Sequence, residues 1–260
     1  EHVDIIRDEL NFDEENVALS DIIRIFELSV PEKDRELNGI YFTPPQITEF
    51  MVDDLIDGKG TVCDYACGSG AFLIEAADYL LENTSLEVEE ALENYIYGVD
   101  ILGYNVRKAK VLLSLFAYKE GCDKDLDLNI KEGDSLQIDW ENKFPSVFKE
   151  GGFDYIVSNP PYVKIQNLEE TTKEDLKSDY EVVFNGNFNI FIPFFELAID
   201  ITSSKGKTSI ITPLNYFTTL TGRELREFLQ DNKYVSKIID FDKILLFEDV
   251  KIYTAITVLN

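Results

Sequence analysis

Phe153-Asp154-Tyr155-Ile156-Val157-Ser158-Asn159-Pro160-Pro161-Tyr162 is the stretch on which the fold turns. Its first half is mostly apolar and reads as a short buried strand. Asn-Pro-Pro-Tyr then ends that strand. The two prolines remove two backbone donors and fix φ twice, so neither a helix nor an inner strand continues. The result is a stiff loop at a strand's C-terminal end, and in open α/β sheets ligands bind outside that end. The Asn159 side-chain oxygen and the Pro160 carbonyl can both accept from an exocyclic amino group, while Tyr162 offers a stacking face. The same residues also suit a rigid turn after a core strand, with Tyr162 as packing.

Upstream, residues 60–73 predict a strand, a glycine turn and the start of a helix that continues through Ile74, Ala77 and Leu81. Gly68 and Gly70 allow a tight turn and close approach of backbone to a ligand. Leu73 stands where the dinucleotide fingerprint has its third glycine. Asp64, before the glycines, repels a pyrophosphate and suits an ammonium or hydroxyl, so the expected ligand is an adenosine with a charged amino-acid tail. A second strand, Tyr95–Asp100, ends in an acid where a ribose hydroxyl pair would be gripped. A helix is expected from Tyr104 to Lys119. An edge strand over 127–130 then leads to Asp134 and Ser135, and Asp134 can accept from an adenine amino group. Singly, Asp100 and Asp134 read as ordinary loop acids. With Asp64 and the glycine turn, after three successive strands, they point to one ligand site.

Before these, Thr43 is expected to cap a helix with Pro44 at its first position and Ile47, Phe50, Met51 and Leu55 at helical spacing. The free N–H groups of such an end can hold a carboxylate. Further upstream, Val17, Ile22, Ile25 and Phe26 predict one face of a helix that starts near Ser20 or Asp21. We divide the chain into this N-terminal helical segment, 1–38, and a main domain, 39–260. Downstream, Lys164 to Phe184 is polar and is expected to be a long mobile loop. Residues 186–199 predict a helix with a very apolar face beside the ligand pocket. Strands are expected at 206–213, 237–241 and 251–259, with a capped helix from Thr221 to Leu229 and an antiparallel last pair. The sequence ends directly on that strand, as a piece of a longer protein would.

Composition bounds the function. The 260 residues are 45% hydrophobic and 12% aromatic, enough for one α/β domain with a full core. No run of about 18 apolar residues suggests a membrane span. Cys63, Cys67 and Cys122 are an odd set that fits a reducing cytosol better than a disulfide framework, and they lack the partners of a zinc site. His2 is the single histidine, which sets aside most Ser-His and Cys-His hydrolysis. The net charge of −26 argues against a self-sufficient nucleic-acid binder, unless a locally basic cleft or a partner supplies the positive surface.

In order along the chain, these elements resemble the N6-adenine DNA methyltransferases. The likeness is to the group in which cofactor motifs precede the catalytic one and the target recognition domain comes last, among modification subunits and fused restriction–modification enzymes. Tyr41-Phe42-Thr43-Pro44 is similar to that family's N-terminal cofactor motif, and Asp64-Tyr65-Ala66-Cys67-Gly68-Ser69-Gly70 to its glycine-rich S-adenosylmethionine loop. Asp100 with Ile101, and Asp134 with Ser135, match the ribose and adenine positions. Asn159-Pro160-Pro161-Tyr162 matches the catalytic motif, and Phe247 the aromatic that packs on an extruded base.

The resemblance covers roughly residues 39–259. It implies a Rossmann-like S-adenosylmethionine-dependent methyltransferase fold, a mostly parallel seven-stranded sheet with an antiparallel last strand. It implies methyl transfer to the N6 amino group of a flipped adenine, in the cytoplasm, within a restriction–modification or related phage-defence system. The extruded adenine would stack on Tyr162 with Phe247 against its other side, and Asn159 with Pro160 would hold its amino hydrogens. No recognition domain follows Asn260, so double-stranded DNA is expected to be engaged through a missing domain or a partner specificity or restriction subunit. Asn-Pro-Pro-Tyr also occurs in glutamine and RNA-guanine methyltransferases, so an RNA or protein-glutamine amino-group methyltransferase is the alternative enzyme. A non-catalytic cofactor-binding scaffold in a defence complex is the alternative of another class. Leu73 counts against a nicotinamide dehydrogenase.

Overall fold

The computed structural model describes residues 19–30, 39, 41–167, 170–183, 188–242, 244–247 and 252–260. His2, Val17, Gly186, Asn187 and Lys251 lie outside the described residues, as does most of the 1–38 segment.

Strands β1 (Val62–Asp64), β2 (Ile96–Asp100), β3 (Asn129–Glu132), β4 (Phe153–Ser158), β5 (Thr202–Pro213), β6 (Val235–Asp240) and β7 (Thr254–Leu259) form one sheet. Their order is β3-β2-β1-β4-β5-β7-β6. Pairing is parallel from β3 through β5, and β7 is antiparallel to both of its neighbours. This is the expected Rossmann-like methyltransferase sheet. The inner strands β1, β2 and β7 are buried along their whole length, as strands covered on both faces must be. The chain runs outward from β1 to β3 and then returns to lay β4 on the other side of β1. A crevice therefore opens between the C-terminal ends of β1 and β4, where Asp64 and Asn159 stand.

Helices α1 (Leu19–Leu28), α2 (Pro45–Leu55), α3 (Ala71–Asn83), α4 (Val88–Asn94) and α5 (Gly103–Lys119) precede β3, and α6 (Trp140–Lys143) and α7 (Pro145–Lys149) follow it. α8 (Glu170–Asp179), α9 (Phe191–Ile201) and α10 (Arg223–Asp231) complete the set among the described residues. α3 packs on β1 and β2 with Leu73 fully buried. A Cβ on Gly98 would come within 2.8 Å of Leu73 Cδ1. The glycine missing from the helix thus stands on the neighbouring strand, and the close helix–sheet approach is kept.

Several expected boundaries move. Pro44, not Thr43, is the N-cap of α2, and Pro45 takes the first helical position. A residue before proline is pushed toward extended backbone, and Pro44 sits at φ −56, ψ 141, so it cannot begin the helix. α1 buries Leu19, Ile22, Ile23 and Phe26 against the core rather than Ile25. That is the i, i+3, i+4, i+7 stripe of one helix face. α9 starts at Phe191, because Asn189 bridges Lys164 and the Ile190 N–H donates to the Val163 carbonyl at 2.8 Å. α10 starts after Gly222 without a side-chain cap, and β5 begins earlier, at Thr202.

The largest correction is the expected mobile loop. Lys164 pairs with Asn189, α8 follows, and a 3-10 turn covers Glu181–Val183. Leu176, Tyr180, Val182 and Val183 are buried. Burial of these four side chains, about 1.5–3 kcal/mol for a full aliphatic one, fixes a segment whose composition alone is too polar to fold.

Candidate active site

The crevice holds a cavity of about 370 Å³ at the carboxyl ends of β1, β2, β3 and β4. That is within the range of small-molecule sites. Asp64, Ala66, Cys67 and Gly68 line it from the β1 turn, and Asp100 and Ile101 from the end of β2. Asp134 and Ser135 come from the end of β3, Tyr41 and Thr43 from the strap before α2, and Asn159 and Pro161 from the end of β4. Gly70 stands behind the wall as the N-cap of α3, with φ 95.

The three acids differ in how their oxygens are used. Asp64 is fully buried, and its Oδ1 accepts from the Ala66 N–H at 3.0 Å and the Ser158 hydroxyl at 2.6 Å. Its Oδ2 has no hydrogen-bond partner among the described residues. Burial pushes its pKa up to about 7, against the Ser158 and Ala66 hydrogen bonds. A carboxylate so short of charge compensation favours a cation. Asp100 accepts three bonds: Gly68 N–H at 2.9 Å, Leu102 N–H at 2.9 Å and Asn105 Nδ2 at 3.1 Å. It ties the glycine turn to the end of β2 and keeps room for one more donor on Oδ2. Among the described residues, the Asp134 carboxylate accepts only the Leu136 N–H, at 3.1 Å. Burial raises the pKa of both.

Asn159 is held from behind. Its Nδ2 donates to the Tyr41 carbonyl at 3.0 Å and to Thr43 Oγ1 at 3.0 Å. Its Oδ1 is buried with no partner among the described residues. No hydrogen bond among the described residues ends on the Pro160 carbonyl. Asn159 Oδ1 is therefore the acceptor left open at the end of β4, whereas Pro160 is buried and is not among the residues that line the cavity. An unpaired buried acceptor costs about 1–3 kcal/mol, so a donor supplied by a ligand would be favoured at this atom.

The aromatic part differs from expectation. Tyr162 is buried, its hydroxyl donates to the Ile211 carbonyl at 3.1 Å, and its pKa is pushed well up by burial. Tyr41 stacks on it with ring centroids 5.0 Å apart and planes 29° apart. Phe247 meets Tyr162 edge-on, at 6.2 Å and 82°, and lies 5.9 Å from Tyr41. Tyr162 and Phe247 thus touch each other instead of forming parallel walls, and Tyr41 covers the face assigned to a base. The three rings bury one another's apolar surface in edge and offset arrangements.

Sequence reasoning missed several walls. Phe26 and Val30, from α1 and just after it, line the cavity, as do Asn105 and Lys108 of α5. Lys108 Nζ donates to the Phe26 carbonyl and to Ser29 Oγ, both at 2.8 Å, locking α1 onto α5. Thr172 and Leu176 of α8 cover the cavity, and Ile190 and Phe194 line it beside them, as expected of the apolar helix over 186–199. The cover is clamped twice: the Tyr180 hydroxyl donates to the Leu136 carbonyl at 2.9 Å, and the Glu196 carboxylate accepts the Glu181 and Val182 N–H groups at 3.1 and 3.0 Å. The helical spacing of Leu176, Tyr180 and Val183 was the signal present in the sequence. No cluster that could hold a metal ion occurs among the described residues, and no described helix is long and apolar enough to cross a membrane.

Sheet order, switch point and glycine turn define a methyltransferase of Rossmann-like fold. Residues 94–247 match the family described as Eco57I restriction-modification methylase, and the chain belongs to that family. It is 29% identical, over a 304-residue alignment, to the type II restriction enzyme and methyltransferase RM.Eco57I of Escherichia coli, covering 94% of this chain and 30% of that protein. It is 25% identical to the type II methyltransferase M.BstVI of Geobacillus stearothermophilus, covering 89% of this chain and 43% of that protein. The chain therefore spans less than half the length of these relatives. Its fold is similar to that of DrdV in a DrdV–DNA complex, with a TM-score of 0.75 at 16% identity, over 95% of this chain and 30% of that one. It is also similar to the type I restriction-modification methyltransferase subunit of Streptococcus thermophilus, with a TM-score of 0.67 at 16% identity, over 93% and 48%.

Proposed function

We propose that this chain is the catalytic domain of a DNA methyltransferase that moves a methyl group from S-adenosylmethionine to the N6 amino group of an extruded adenine. The observation that carries this reading is the Asn159 oxygen, buried without a partner among the described residues, at the edge of a cavity that the buried Asp64 also lines. The relatives named as type II methyltransferases, and the likeness to the fold of DrdV solved with DNA, support DNA as the substrate. The catalytic unit is taken as 39–260, with α1 packed on as one wall of the cavity. Sequence recognition is assigned to a recognition domain or partner subunit, which also answers how a chain of net charge −26 approaches DNA.

The residues fit the cofactor. Asp64 would hold its ammonium, Thr43 its carboxylate, Asp100 its ribose and Asp134 its adenine amino group, with Tyr41, Ala66, Cys67, Gly68, Ile101 and Ser135 as walls and Gly70 shaping the turn. When bound, S-adenosylmethionine supplies an electrophilic sulfonium methyl. Asn159 Oδ1 and the Pro160 carbonyl accept the two N6 hydrogens, which draws electron density onto nitrogen and points its lone pair away from the loop. Pro161 keeps the loop stiff, so this geometry needs little reorganisation. Tyr162 and Phe247 receive the base once Tyr41 leaves the Tyr162 face. Leu176 and Phe194 exclude water. The amino proton is released after transfer, so no strong base is required.

The test is methyl transfer from labelled S-adenosylmethionine to adenine-containing DNA by the wild type and by Asn159→Ala. Loss of transfer with cofactor binding retained is expected; near-normal transfer by the variant defeats the assignment.

A further inference from the structure

The amide of Asn159 can present either its oxygen or its NH2 group to a substrate, because a half-turn about its terminal torsion exchanges them. With the NH2 outward, donor faces donor and the incoming amino group is rejected. Something must choose the flip. Behind the amide stands the main-chain carbonyl of Tyr41, at 3.0 Å from Nδ2. A carbonyl only accepts, so the atom facing it must be the nitrogen. Thr43 Oγ1 accepts the second N–H, also at 3.0 Å. Both amide hydrogens are then used and Oδ1 points the other way, buried and without a partner.

The strap that carries these acceptors is fixed at both ends. The Tyr162 N–H donates to the Gly39 carbonyl at 3.2 Å, binding the strap to the Asn-Pro-Pro-Tyr loop at a further point. Beyond Thr43, Pro44 and Pro45 stiffen the path into α2. Thr43 is itself buried. Its hydroxyl proton has no acceptor among the described residues, so it can still donate to a ligand while its oxygen accepts from Asn159.

We propose that Thr43, with the Tyr41 carbonyl, sets the flip of the Asn159 amide, so that Thr43 is a positioning residue for the catalytic amide and not only a wall of the cofactor cavity. This rests on the function proposed above and goes beyond it. A residue that only binds cofactor changes cofactor affinity. One that orients Asn159 changes the rate at saturation.

The experiment compares Thr43→Val, which keeps the branched shape and loses the acceptor, with Thr43→Ser, which keeps the acceptor. Thr43→Val is expected to lower kcat by about tenfold to a hundredfold at saturating cofactor and DNA, over and above the loss of cofactor affinity that follows from removing its hydroxyl from the carboxylate. Thr43→Ser is expected to stay within about threefold of wild type in both, by the same comparison. Adding Asn159→Ala to Thr43→Val should lower the rate no further than Asn159→Ala alone. Independently of activity, the side-chain NH2 signals of Asn159, assigned by their loss in Asn159→Ala, should exchange slowly with solvent in the wild type and faster in Thr43→Val. An unchanged kcat in Thr43→Val overturns the proposal, as does a loss confined to cofactor Kd, or rapid exchange of the Asn159 NH2 signals in the wild type. Normal transfer by Asn159→Ala overturns the function itself, whereas an inactive Asn159→Ala beside a normal Thr43→Val overturns only the role of Thr43.

Discussion

At the N-terminal end of β4 the Asp154 carboxylate accepts the Thr61 N–H at 2.8 Å and its hydroxyl at 3.0 Å, and Thr61 Oγ1 accepts the Asp154 N–H in return at 3.0 Å. At the other end of the same strand, Asn159 leaves its oxygen unpaired. The acids repeat the contrast. Asp57, near the N-terminal edge, is bonded by Lys207 at 2.5 Å and the Tyr155 hydroxyl at 2.7 Å, and these bonds hold its pKa below the usual value. Asp64, at the C-terminal edge, is pushed up to about 7 by burial. Polar groups at one edge of the sheet close their bonds within the chain and tie β1 to β4. At the other edge Asp100 is likewise bonded within the chain, but Asp64 and Asn159 are desolvated and left short of partners, a cost that a ligand would offset.

The largest expected break in this contrast is Asn159→Ala, which should lower methyl transfer by about 10³-fold while leaving cofactor affinity within a few-fold, read by single-turnover kinetics and calorimetry. Next is Asp64→Asn, expected to weaken cofactor binding by about tenfold to a hundredfold, the loss of a charge-assisted bond. The same substitution should stabilise the free protein above pH 7. The folded pKa of Asp64, about 7, exceeds its ordinary 3.8, so its favourable contribution is complete below pH 4 and is lost as pH rises through 7. Asparagine removes that loss, so melting curves of variant and wild type should separate above pH 7 and converge below about pH 4. A higher melting temperature for the wild type at pH 8 would contradict this. Cofactor affinity of the wild type should fall below about pH 7, by up to tenfold per unit, because ligand binding must then displace the Asp64 proton. Asp154→Ala, at the opposite edge, should cost about 1–3 kcal/mol of stability by denaturant unfolding and leave kcat unchanged.

Much of the site was legible because its signals are local. Strand, then acid or Asn-Pro-Pro, then glycine or proline is a pattern of a few residues, and Asp64, Asp100, Asp134 and Asn159 all stand at strand ends facing one crevice. What was not legible depends on distance along the chain. The Tyr41 carbonyl meets Asn159 across 118 residues, and nothing near Asn159 in sequence announces it. The cover over the cavity was hidden by composition, since α8 is mostly charged. Its order comes from Leu176 and Tyr180 reaching the core and from Glu196 capturing two backbone N–H groups from another element. The α2 cap was misplaced by one residue because the rule for a cap before proline is complicated by two prolines in a row.

The most direct test of the central claim, that the unpaired acceptors at the C-terminal edge exist to hold an adenine amino group, is to locate the transferred methyl. DNA incubated with the protein and labelled S-adenosylmethionine, digested to nucleosides and resolved by mass spectrometry, should carry the label as N6-methyldeoxyadenosine, and Asn159→Ala should leave none. Label on another base or on protein, or an undiminished N6 signal from the variant, would contradict the account.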